Sequence, residues 1–150
     1  MQEILVNKLY EYIRQNNPDV LFSLQEEAAV TKYLQQKIES VANLIRNLQS
    51  ENKPAYIIEE LCLDAMTTDL RPSKFNYISA VLEEEFETDY YKLKENGTLT
   101  YEVINMITVC NPVFESFGFT EENEGDRQLK YAVTGTIHEY LTKKVESKEL

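Results

Sequence analysis

The segment VLEEEFETDYY, Val81 to Tyr91, places five carboxylates in seven positions: Glu83, Glu84, Glu85, Glu87 and Asp89. Acids at this density suit three kinds of chemistry: holding a divalent metal, working as an acid–base pair, or facing a basic partner. A di-metal carboxylate site draws glutamates from several helices into a bundle core and adds Glu-x-x-His pairs. Here the acids sit on one segment, and no Glu-x-x-His exists in the chain. At about 100° per residue, a core line through Phe75, Leu82 and Phe86 points Glu84 directly outward. Glu83 and Glu87 then lie on one flank and Glu85 on the other. Asp89 would return to the apolar side, so the helix is expected to end near Phe86 to Thr88 rather than bury a carboxylate.

The pattern is that of a wet helix face or a surface for a basic partner. Carboxylates in a last helical turn oppose the dipole by roughly 0.3–1 kcal/mol each. Their gathering therefore asks for a compensating feature. Thr88 or Asp89 could cap a short helix starting at Tyr90. Alternatively Lys130, Lys143, Lys144 or a partner neutralises the acids. With the preceding Arg71 and Lys74, the residues Glu83, Glu84 and Glu87 define a mixed-charge candidate partner surface.

Other reactive residue types are sparse. His138 is the one histidine, and the position four residues on is Thr142, so HExxH is not formed and a histidine-based zinc site cannot be completed. Cys62 and Cys110 lie in the apolar contexts ELCLDA and ITVCNP, which predicts buried, reduced and inert thiols. Four glycines and no GxGxxG, P-loop or GxSxG leave no phosphate-cradling loop. No catalytic, metal or cofactor residue is assigned. Tyr10, Tyr12, Tyr33, Tyr56, Tyr77, Tyr101, Tyr131 and Tyr140 fall in expected helices, as core-edge rings or as contact surface.

The elements that position these residues read as helices throughout. EILVNKLYEYIRQNNPDV gives a helix over about 3–16, stopped at Asn17-Pro18. Ser23 and Glu26 form a capping-box pattern before a stripe of Val30, Leu34, Ile38, Val41, Leu44, Ile45 and Leu48, predicting one long helix over about 24–49. Pro54 suits the first position of the next helix, which is expected to bury Ile57, Ile58, Leu61 and Ala65. SKFNYISAVLEEEF presents Phe75, Ile78, Leu82 and Phe86. Asn96-Gly97 is a helix-to-helix turn. TYEVINMITVCNPVFESFGF is apolar nearly all round and predicts a central helix, kinked or split at Pro112 and stopped at Gly118. The last helix turns Leu129, Val133, Ile137, Tyr140 and Leu141 inward, with Lys143 and Lys144 in its final turn. The expected fold is all-α, one compact domain over residues 1–150 with six or seven helices.

Composition sets bounds on partners. Of 150 residues, 43% are hydrophobic, enough for a core. The net charge of −11 is concentrated: residues 59–126 hold four basic and sixteen acidic side chains, for −12. Such a field repels phosphate backbones, so no direct nucleic-acid binding is expected. No apolar run approaches the roughly 20 residues of a membrane span. Met1 to Val20 carries Glu3, Glu11 and Asp19 and no signal-like apolar stretch, so a cytoplasmic location is expected.

The segments LYEYIRQNNPDV and LRPSKFNYISAVLEEEF resemble an uncharacterised family of small bacterial proteins. That family is found mainly in Bacteroidetes, often near conjugative transposons, and is catalogued as a domain of unknown function. The similarity lies in Leu9 to Pro18, Leu70 to Phe86 and the closing helix Leu129 to Leu141. Relatives carry a Gly-rich turn and a Leu-Gly pair where this chain reads SENKPAY and DAMTTDL. The resemblance implies an all-α fold and a mobile-element context, and it implies no activity or functional residues. Together these observations point to a non-enzymatic helical module that binds a protein, including a second copy of itself. The alternatives are an acidic DNA-mimicking inhibitor of a DNA-binding protein and an enzyme of unrecognised type.

Overall fold

A computed structural model describes residues 1–149, with side chains through Glu146. Among the described residues there are nine α-helices, one 3-10 turn and no strand. The all-α class holds, and the helix number exceeds the expected six or seven because two segments read as continuous or as loop are broken into separate helices. Contacts divide the chain into two compact units, Met1–Arg71 and Pro72–Leu150.

In the first unit, α1 (Gln2–Asn16) contributes Leu5, Leu9 and Ile13, all fully buried. Asn17 ends α1, and Pro18 opens α2 (Pro18–Leu24), its fixed φ already helical. Pro18 is thus a start as well as a stop. Ser23 lies in the last turn of α2, where its hydroxyl donates to the Val20 carbonyl at 2.7 Å, so the expected capping box does not form. Gln25, at φ 63°, turns the chain into α3 (Glu27–Ser40).

The expected helix 24–49 breaks a second time at Val41, whose N–H bonds Ile38 in a tightened turn before α4 (Ala42–Ser50) begins. Val41 stays buried within the stripe Leu34, Ile38, Ile45 and Leu48. The apolar rhythm therefore passes through the break unaltered. Pro54 caps α5 (Ala55–Met66) from outside rather than occupying its first position. The buried line of α5 is Ile58, Cys62 and Met66, whereas Leu61 and Ala65, expected inside, are exposed. α1 packs on α2, α3 and α5, and the 3-10 turn Thr68–Leu70 follows α5. The buried Asn17 amide donates to the Leu70 carbonyl at 3.2 Å.

In the second unit, Ser73 caps α6 (Lys74–Glu85), its hydroxyl accepting from the Asn76 N–H at 3.0 Å. α6 ends at Phe86, and α7 (Glu87–Glu95) begins at once, three residues before the expected Tyr90. The turn at Asn96-Gly97 has Gly97 at φ 73°, which only glycine adopts without strain. α8 (Leu99–Phe117) is the central helix, in contact with α6, α7 and α9 (Arg127–Glu149). Pro112 does not split it. Pro112 and Thr108, whose carbonyl the missing N–H would have met, both lie on the exposed side of the helix. Gly118, at φ 67°, closes α8 in the left-handed conformation. Asn123 then ties the loop, its amide nitrogen donating to the Phe117 and Gly118 carbonyls and its oxygen accepting from the Thr120 N–H. Ile78, Leu82, Val103, Met106, Phe114, Leu129, Val133 and Ile137 form the centre of this core.

Candidate functional site

The acids of Val81–Tyr91 lie around an elbow. Backbone at Phe86 (φ −136°, ψ 51°) ends α6, and Glu83, Glu84 and Glu85 sit exposed in its last turn. Lys130 of α9 answers them. Its ammonium lies 3.0 Å from Glu84 Oε2 and 3.5 Å from Glu85 Oε1. The hydrogen bond to Glu84, foremost, raises the Lys130 pKa. Beyond the elbow the dipole relation reverses. Glu87 and Asp89 fall in the first turn of α7, while Lys92 and Lys94 fall in its last, so these four charges meet complementary helix ends and Glu95 alone opposes its own.

Glu87, Tyr91 and Glu95 are four residues apart and form one row along the outside of α7. They line an open depression with Thr88 and Lys92. Tyr91 is 46% exposed, its ring held edge-on to Tyr90 with centroids 5.1 Å apart. An exposed ring between two carboxylates is an arrangement that receives cations. The acid pattern alone does not single out Tyr91. Its four-residue spacing from Glu87 and Glu95 was the available signal.

The two basic residues assigned to this surface each have partners of their own. Arg71 closes the first unit, pairing with the Asp64 carboxylate at 3.0 Å and donating to the Asp64 and Thr67 carbonyls. Lys74 stands at the opposite end of α6 from Glu83, where it donates to Asn111 Oδ1 at 3.0 Å and lies 5.4 Å from the centre of the Phe114 ring. Lys143 and Lys144 are not in the last turn of α9, which runs on to Glu149. They pair with Glu139 and Glu102 instead.

His138 is exposed on α9 and stacks on Phe86 at 6.4 Å. Cys62 and Cys110 are free and fully buried. Desolvation pushes both thiols up, Cys110 to about 11, which suppresses the thiolate needed for nucleophilic attack. No group of three or more His, Cys, Asp or Glu among the described residues is placed to hold a metal ion. No helix among them is long and apolar enough to cross a membrane. The tyrosines divide: Tyr10, Tyr56, Tyr91, Tyr101 and Tyr131 are exposed, and the other five are half-buried at core edges.

One charged cluster was not foreseen. Glu102 on α8 is 5% exposed, accepts from the Tyr140 hydroxyl at 2.7 Å and pairs with the Lys144 ammonium. Burial, with the Glu102 hydrogen bond second, pushes the Tyr140 phenol up to about 12. Glu102 stands four residues before Met106 and eight before Cys110, so its place on the buried row was visible in the spacing.

In comparison with known proteins, a family model, DUF1896, described as a domain of unknown function, matches residues 6–145. No curated protein and no solved structure matches the chain.

Proposed function

The chain belongs to the DUF1896 family, a domain of unknown function, and we propose on that premise that it is a non-enzymatic helical interaction module. Its partner on this reading is a protein segment rich in arginine or lysine, received on the outer face of α7. The row Glu87–Tyr91–Glu95 carries the reading. A tyrosine face attracts a guanidinium through its ring quadrupole. Carboxylates on either side supply charge-assisted hydrogen bonds to the same group. Residues 72–150 hold eight basic and fifteen acidic side chains, a net of −7, which steers cationic segments toward this unit. Lys130 already neutralises Glu84 and Glu85, which favours a local basic contact over a long phosphate-like row. We also place the protein in the cytoplasm, in a bacterial mobile-element context. The resemblance carried by Leu9 to Pro18 and Leu70 to Phe86 supports that setting.

The test is capture from a lysate of the native cell on the immobilised full-length chain, read by mass spectrometry. Wild type is compared with Glu87→Lys and Tyr91→Ala, each checked for unchanged helicity. Arginine- or lysine-rich proteins should be retained by wild type and lost by both variants. Identical captured sets from all three would sink the reading.

A further inference from the structure

α8 and α9 meet along rows of buried side chains, and one layer of that contact is polar. On α8 the row is Glu102, Met106, Cys110 and Phe114, spaced four residues apart. On α9 it is Leu129, Val133 and Ile137, continued by Leu141 and Lys144. Lys144 lies seven residues past Ile137, two turns further along the same face. The Glu102–Lys144 pair therefore fills a position that apolar side chains fill elsewhere in the interface. Tyr140 completes the layer through its hydroxyl, and Tyr101, Asn105 and Lys143 line the open depression around it.

This layer divides α9. Among the described residues, Ile137 is the last fully buried one of the helix. Beyond it Tyr140, Leu141 and Lys144 are half-buried and Val145 is exposed. Glu102 is buried while the Lys144 side chain stays about a third exposed, and such a polar layer holds two surfaces together less firmly than well-packed apolar groups of similar volume, because Glu102 gave up water to enter it. Solvent already reaches Lys144 from the open depression and reaches Glu102 as well once the layer parts. The end of α9 is thus held by a contact of different strength from the one that holds Leu129 to Ile137.

We propose that Glu102 is the catch of a releasable arm, formed by residues Tyr140 to Glu146 of α9. With the catch closed, Tyr140 and Leu141 cover the start of α8. With it open, both leave that surface while Leu129, Val133 and Ile137 keep the rest of α9 in place. The device is separate from the α7 face and does not depend on what that face binds.

Hydrogen exchange of the full-length chain, read by mass spectrometry, tests it in both directions. Lys144→Met removes the catch, and peptides covering residues 140–146 should exchange about tenfold faster or more, with peptides covering 128–137 unchanged. The combined variant Glu102→Leu, Tyr140→Phe, Lys144→Leu replaces the polar layer by an apolar one, and the arm should then exchange more slowly than in wild type. Unchanged exchange at 140–146 in Lys144→Met would overturn the proposal. So would loss of protection along all of α9, or faster exchange of the arm in the apolar variant.

Discussion

Lys130 shows how one side chain makes an unfavourable helix end tolerable. Its bonds to Glu84 and Glu85 raise its pKa, so its contribution is full below the ordinary 10.5 and is lost as pH rises through the raised folded value. Tyr140 acts in the same alkaline window. Its phenol rises from 10 to about 12, so the folded state keeps a proton that the unfolded state releases. The Tyr140 contribution is therefore level below pH 10 and falls as pH rises toward about 12. Tyr140→Phe removes that loss, and denaturant melts across the window should show a shallower decline than wild type. The cysteines allow a second check at this scale. With both thiols buried and their pKa values raised, iodoacetamide should label neither Cys62 nor Cys110 in the native protein and both in denaturant. Native labelling of either would contradict the burial described.

At the scale of elements, the ends of helices matter more than their middles. Gly118→Ala meets open space but must hold a left-handed backbone, so the cost is conformational, about 1 kcal/mol. Ser73→Ala removes the one side-chain cap of α6 and should cost about 1 kcal/mol. Urea titrations of the two variants measure both values. The glycine signals were legible in the sequence, where Asn96-Gly97 and Gly118 end helices as glycine chemistry requires, whereas the Ser73 cap was not read there. The stripe from Val30 to Leu48 was legible too. What it hid was the break at Val41, because a buried residue sits in the break and the rhythm does not skip. α2 is hidden for a related reason, since Asn17-Pro18 reads as a stop although proline equally begins a helix. In the candidate surface, Glu83, Glu84 and Glu87 were placed on the outside, as found. Arg71 and Lys74 were joined to them on sequence proximity alone, while hydrogen bonds hold each elsewhere.

For the whole molecule, the family match begins in the first compact unit and ends in the second, so both belong to what the family shares. Each unit has its own centre, and truncating either is expected to be severe. Leu9→Ala and Met106→Ala both remove fully buried side chains, at roughly 2–5 kcal/mol each by denaturant unfolding. The acidic excess acts over longer distances. Added salt should raise the melting temperature by screening repulsion within residues 72–150, and a fall would show that the ion pairs outweigh it. Nor is that charge fixed in time. The turn that joins α7 to α8 places exposed Asn96 directly before glycine, the pairing most prone to cyclise and lose its amide. Each event would leave a new carboxylate at the C-terminal end of α7, where the dipole disfavours it. The Gly97 nitrogen that must attack is held by the Lys94 carbonyl at 3.2 Å, which makes the turn slow to age while folded. Stored protein should therefore accumulate an acidic form at Asn96, and accumulate it faster once α7 is loosened.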